Sequence, residues 1–273
     1  MRKTTKRNKK SYLEEYLLGL YDSLKKIITN IDTRIFLYVI YDLLFYVVFF
    51  SGSLVASHLF VRQIDKVKNT IQSVGVLTIT NLESTVPVLK SFILSILAIF
   101  VGFVILVTID WTVFKGLIWA SMLKKRYSLN YFTKFLLLNL CWFFAWSFLV
   151  VATALIVRNV KVASLIIIFI GFLFVHLSWL VSALFTRKQL VWDAIRESLN
   201  VGIKKFYIFI VPYTFLLIVF FLVSQLLWLV RPLSNTVELF FSVVILVFFA
   251  AFARLFLLEI LENFLHSTKY KYK

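Results

Sequence analysis

Residues 135–185 read FLLLNLCWFFAWSFLVVATALIVRNVKVASLIIIFIGFLFVHLSWLVSALF, and this stretch decides the fold. A helix rises about 1.5 Å per residue and needs about 20 apolar residues to cross a hydrocarbon core. The stretch holds two such runs, 135–157 and 163–185, and its only Lys or Arg residues, Arg158 and Lys161, fall in the gap between them. Lipid offers the backbone no hydrogen-bond partner, so each run must be a helix. The tight gap makes the pair a hairpin that crosses and returns.

Working outward, four more runs pass the same test, at 35–57, 91–109, 206–230 and 237–259. The first is longer than the apolar region of about 7–15 residues in a secretory signal and follows an extra helical segment, so it reads as a retained span. The expected architecture is all-α, a polytopic transmembrane helix bundle of six spans over 35–262. A basic arm and interfacial helix precede it over 1–34, and a basic tail follows over 263–273. Composition agrees. The chain has 273 residues, of which 61% are hydrophobic and 16% charged, whereas soluble domains run at about 45–50% and about 25%. The lone cysteine, Cys141, excludes an internal disulfide.

The chain carries 30 Lys and Arg against 13 Asp and Glu, a net charge of +17. On a soluble surface that excess would point to nucleic acid. Between membrane spans it points to loops retained in the cytoplasm and to anionic lipid head groups, so no nucleic-acid partner is expected. With the N-terminus inside, Lys and Arg number nine before the first span, five between the second and third (Lys115 among them), five between the fourth and fifth, and three in the tail. The totals are 22 inside and 7 outside, with Arg254 in the sixth span. The expectation is a plasma-membrane protein with both termini cytoplasmic.

Amphipathic segments flank the spans. Leu13, Leu17, Leu20, Leu24, Ile27, Ile28 and Ile31 recur at helical spacing before the first, as in a helix lying in the inner interface. Within 190–206, Val191, Ile195, Leu199 and Ile203 take one side, with Asp193, Arg196, Glu197, Lys204 and Lys205 elsewhere. Residues 111–122 continue the second span until Lys124, Lys125 and Arg126 stop it. On the outer side, Phe60, Ile64, Val67, Ile71 and Val74 extend the first span as an amphipathic helix that Gly75 ends. Residues 78–83 read as short and mixed, and Pro87 suits the start of the next helix. Leu117-Ile118-Trp119-Ala120 recurs as Leu190-Val191-Trp192-Asp193, and Lys134-Phe135 as Lys205-Phe206. Asp22-Ser23-Leu24-Lys25 lies beside Glu197-Ser198-Leu199 in a comparable place. These echoes suggest three helical hairpins related by duplication.

The run Asp193-Ala194-Ile195-Arg196-Glu197-Ser198-Leu199 through Lys204-Lys205-Phe206, with the six-span layout, resembles a group of prokaryotic integral membrane proteins. It is similar to the membrane domain attached to some bacterial glycerophosphodiester phosphodiesterases. The resemblance implies six spans with inner amphipathic helices and brings no catalytic residue.

Ionisable residues inside spans are the first place to look for function. Asp42 and Arg254 sit at similar depths in the first and last spans, where an ion pair locking those helices is expected. His176, mid-span, is expected to pack with a hydrogen bond to Ser147 or Thr153 on a neighbour. Pro212 predicts a kink in the fifth span, and Gln225 lies further along it. Gly52, Ser53, Ala56 and Ser57 form a small-residue face on the first span. A metal site is not expected, because His58, His176 and His266 are scattered and no H-E-x-x-H occurs. Nucleophile elbows, P-loops and dinucleotide-binding glycine runs are likewise missing, so neither enzymatic activity nor a cofactor is expected.

Three functions follow in order. The first is a non-enzymatic scaffold, sensor or export-assisting component, with Lys124, Lys125, Arg126, Arg196, Lys204 and Lys205 as its inner-face contacts to anionic lipid or a protein partner. The second is a small transporter or channel using Asp42, His176, Gln225 and Arg254. The third is an interfacial lipid-modifying enzyme with Asp110, Asp193, Glu197, Glu259 and Glu262 as candidate acids.

Overall fold

Long apolar runs force the backbone to satisfy itself, and the chain is helical accordingly. The computed structural model describes residues 19, 21–26, 29, 34–74, 79–230 and 235–271, and no strand occurs among them. The helices are α1 (Arg34–Val74), α2 (Ile79–Met122), α3 (Leu129–Ile156), α4 (Val160–Lys188), α5 (Val191–Gly202), α6 (Tyr207–Val230) and α7 (Asn235–Lys271). All except α5 are long and apolar enough to cross a membrane, which makes the chain a multi-pass membrane protein. The basic arm at 2–10, most of the amphipathic segment at 13–31, Gly75 and the turn after Val230 lie outside the described residues.

The helices overrun the apolar runs at several ends. α1 continues to Val74 as one helix, as the period of residues 60–74 predicts. α2 starts at Ile79, so residues 79–83 are helical rather than mixed, and Pro87 sits inside the helix rather than at its start. A proline there removes one backbone bond without stopping the helix, because the residues on both sides keep their own partners. α6 likewise continues through Pro212.

Two units divide the chain. The first comprises residues 41–174 and 185–193. In it α2 packs on α3, and α1 meets α2 through Phe45–Trp111 and Phe49–Phe103, with ring centroids 5.7 and 6.0 Å apart. The exposed large apolar side chains of α2, among them Leu97, Phe100 and Ile105, all come before Asp110. From Asp110 to Ala120 the helix is enclosed. Gly116 permits this, since a Cβ there would come within 2.9 Å of the Tyr127 ring and 3.1 Å of the Phe135 ring. Tyr131, Phe135 and Phe185 are fully buried against one another, with centroids 5.4–5.7 Å apart. The Tyr131 hydroxyl meets Thr186 Oγ1 at 2.8 Å. The small face of α1, Gly52 and Ala56, lines an apolar groove with Ala98 and Gly102 of α2.

The second unit comprises residues 1–40, 175–184 and 194–273. α6 packs on α7 through Phe215–Phe256 and Phe220–Phe249, with centroids 5.2 and 5.3 Å apart. Residues 21–26 are helical, and Lys26 Nζ pairs with Glu259 Oε1 at 2.7 Å. Ser23 is buried, accepts a hydrogen bond from Asn263 Nδ2 and donates one to the Gly19 carbonyl. α5 packs through a face that its apolar period does not mark. Its packed residues are Ala194, Ser198, Val201 and Gly202, while Leu199 and Ile203 are exposed. The reason is close approach: a Cβ at Gly202 would collide with Leu177 and Leu180. A face of small residues lets the helix axis come near, and the bulky apolar side chains turn away, where a bilayer interface accepts them.

Candidate functional site

Two buried polar networks stand out, one in each unit. In the first unit, Asp42 lies eight residues after the start of α1, and Lys115 lies seven before the end of α2. At 1.5 Å per residue both are about 10–12 Å from those ends, so antiparallel helices bring them level. They form an ion pair, with Asp42 almost wholly buried and Lys115 mostly so. The ammonium also lies over three rings, 4.5 Å from the Phe45 centroid, 5.5 Å from Trp111 and 5.7 Å from Tyr46. Removing two charges from water is costly, and a direct pair with aromatic faces around the cation offsets part of that cost.

One turn of helix away from this pair, Asn139 Nδ2 donates to Thr112 Oγ1 at 3.0 Å, and that hydroxyl donates to the Thr108 carbonyl at 2.7 Å. The Tyr127 hydroxyl reaches the Thr112 carbonyl at 3.5 Å. Burial pushes the Tyr127 phenol up to about 12, so it is a neutral donor. Its position depends on the turn that closes α2, where Lys124 adopts a positive φ of 53° and the Lys125 amide donates to the Ala120 carbonyl at 2.7 Å. Ser128 then caps α3, its Oγ accepting from the Tyr131 amide at 3.2 Å.

In the second unit, His176 is buried and both ring nitrogens are used. Nε2 lies 3.1 Å from the Gly202 carbonyl oxygen, which can only accept, so Nε2 carries the proton. Nδ1 therefore accepts from the Tyr213 hydroxyl at 2.5 Å, and that oxygen in turn accepts from Trp179 Nε1 at 2.8 Å. Every polar hydrogen in the chain Trp179, Tyr213, His176 and Gly202 has one acceptor. The imidazole is neutral with a fixed tautomer. The partners are Tyr213 and Gly202, in place of the expected Ser147 or Thr153.

The remaining candidates scatter. Arg254 is half-buried, and its Nε donates to the Ala250 carbonyl one turn back on α7 at 3.1 Å. Asp42 takes Lys115 as an ion-pair partner, one that the sequence did not suggest. Gln225 is exposed near the far end of α6 and does not project into a bundle interior, because the packed face of α6 is set by residues such as Phe209 and Leu216. Lys124, Lys125, Arg126, Arg196 and Lys204 are exposed. Lys205 is half-buried, with its ammonium 4.7 Å from the Phe264 centroid. Of the candidate acids, Asp110 and Asp193 belong to the first unit, and Glu197, Glu259 and Glu262 to the second. Asp110 is buried, Asp193 is exposed and Glu259 is held by Lys26. Among the described residues, no three His, Cys, Asp or Glu side chains gather into a group that could hold a metal.

Lys115 was missed in the sequence because it was counted with the basic residues between the second and third spans, although 111–122 reads as a continuation of the second span. The available signal was its setting, a single lysine within the otherwise apolar 111–122. Moving it into the span leaves 21 basic residues on the side expected to be cytoplasmic and does not alter the orientation they favour. Searches against family models, curated proteins and solved structures find nothing that matches the chain.

Proposed function

We propose that the chain is a plasma-membrane protein with both termini in the cytoplasm, a non-enzymatic scaffold, sensor or export-assisting component. Its basic cytoplasmic face meets anionic lipid head groups and an acidic protein partner. The observation that carries this reading is the contrast between interior and connections. Asp42 and His176 are closed on partners of their own, whereas Lys124, Lys125, Arg126, Arg196 and Lys204 are exposed in or beside the connections after α2 and α4. Each basic residue near an anionic surface is worth about 1 kcal/mol, so five of them give a strong preference for anionic lipid.

The test is lipid selectivity of the purified full chain in bilayers, read with spin-labelled phosphatidylglycerol against spin-labelled phosphatidylcholine. The expected result is several-fold enrichment of the anionic label at the protein, reduced by salt and lost when the five basic residues are changed to Gln. Equal association of the two labels with the unaltered protein would refute it. A transport role is supported by a single observation, the unpartnered carboxyl of Asp110, which bears on a narrower question.

A further inference from the structure

Asp110 belongs to neither closed network. It is 5% exposed, and neither carboxyl oxygen has a hydrogen-bond partner among the described residues. It lies within the span Val86–Met122, twelve residues and so about 18 Å from the helix end. An isolated carboxylate in that setting is far costlier than a neutral carboxyl.

The charged and titratable groups of the packed elements are few. α1 brings Asp42, Tyr41 and Tyr46, and α2 brings Lys115. The 123–128 turn brings Tyr127 and the exposed Lys124, Lys125 and Arg126, and α3 brings Tyr131, Cys141 and, near its start, Lys134; His58, Arg62, Asp65, Lys66 and Lys68 of α1 and Lys90 of α2 lie toward the other ends of those helices. Of these, Lys115 acts electrostatically on Asp110, and the same ammonium is paired with Asp42. Two carboxyls therefore lie within the field of one cation, which is paired with Asp42. If both were ionised, the trio would carry a net negative charge in hydrocarbon, and one added proton makes it neutral.

We propose that Asp110 is a proton-binding site within the membrane span, holding a proton while Lys115 pairs with Asp42. The arrangement has a second neutral form. When the O–H bond of Asp110 breaks, its electron pair stays on the carboxylate, Lys115 moves to it with all three ammonium protons, and the released proton is taken up by Asp42. One proton and one ammonium are thus exchanged between two carboxyls, as a device that senses or moves protons requires. The ligand is the proton itself, and the inference stands independently of the basic face.

Infrared difference spectra of the full chain in liposomes, in H2O and in D2O, test this. The expected result at neutral pH is a protonated-carboxyl C=O band that shifts in D2O and is lost in Asp110→Asn. Asp42→Asn frees Lys115 for Asp110 and abolishes the band as well. Adding Lys115→Met to Asp42→Asn restores it. A wild-type protein without the band, a band that persists in Asp110→Asn, or no band in the Asp42→Asn/Lys115→Met protein would overturn the proposal. Should Asp110→Asn fail to accumulate, Asp110→Glu serves in its place, with a displaced band expected and an undisplaced one contradicting the assignment.

Discussion

Lys115 and Gly202 are the two residues whose replacement has the clearest cost. Lys115→Met leaves Asp42 as a buried carboxylate without its ion-pair partner, a loss of about 3–5 kcal/mol. Asp42→Asn/Lys115→Met removes both charges and recovers most of it. Thermal unfolding of the three proteins in detergent checks this, and a double mutant no better than Lys115→Met would show that the pair contributes nothing as a pair. At Gly202, alanine pushes α5 away from Leu177 and Leu180, at about 1–3 kcal/mol. It also lengthens the bond from His176 Nε2. A Gly202→Ala protein as stable as wild type would contradict the close approach. The burial of His176 was legible in the sequence, whereas its partners were not. Tyr213 and Gly202 stand 37 and 26 residues away, and helical spacing within one segment cannot say which faces of three segments will meet.

Helix ends and helix faces differ in how well the sequence announces them. Ser128 and Asn159 are recognisable caps, and both side chains accept amide hydrogens from the turn that follows. The C-terminal ends of α2 and α4 carry no such mark, because the left-handed positions are taken by Lys124 and Gln189, with φ of 53° and 55°, where glycine is the usual choice. Gln189→Gly relieves a strain of about 1 kcal/mol. It is expected to raise stability by roughly that amount, and a lower melting temperature would argue against the strained cap. α5 shows the other limit. Apolar periodicity found the helix and the apolar side that an interface accepts, and gave no sign that small residues form the side that packs, as they do where backbones approach closely. The serines proposed as equivalent, Ser23 and Ser198, are both buried and both donate to a carbonyl of their own segment.

At the scale of the molecule, hydropathy alone located six spans, because a bilayer imposes a length and a composition on anything that crosses it. It placed their ends less well. Helices carry on past the hydrocarbon where polar residues keep the helical period, as α1 does to Val74, and a lysine is admitted inside where a buried aspartate awaits it. The proposed orientation rests on charge, with 21 basic residues on the side proposed as cytoplasmic once Lys115 is assigned to α2, against 7 on the other. An even number of spans, six here, would put both termini on one side. Paired reporters on the full chain, one inserted at position 75 and one fused after residue 273, measure this directly. The first is expected to read outside and the second cytoplasmic. A cytoplasmic signal at 75, or an outward C-terminus, would contradict it.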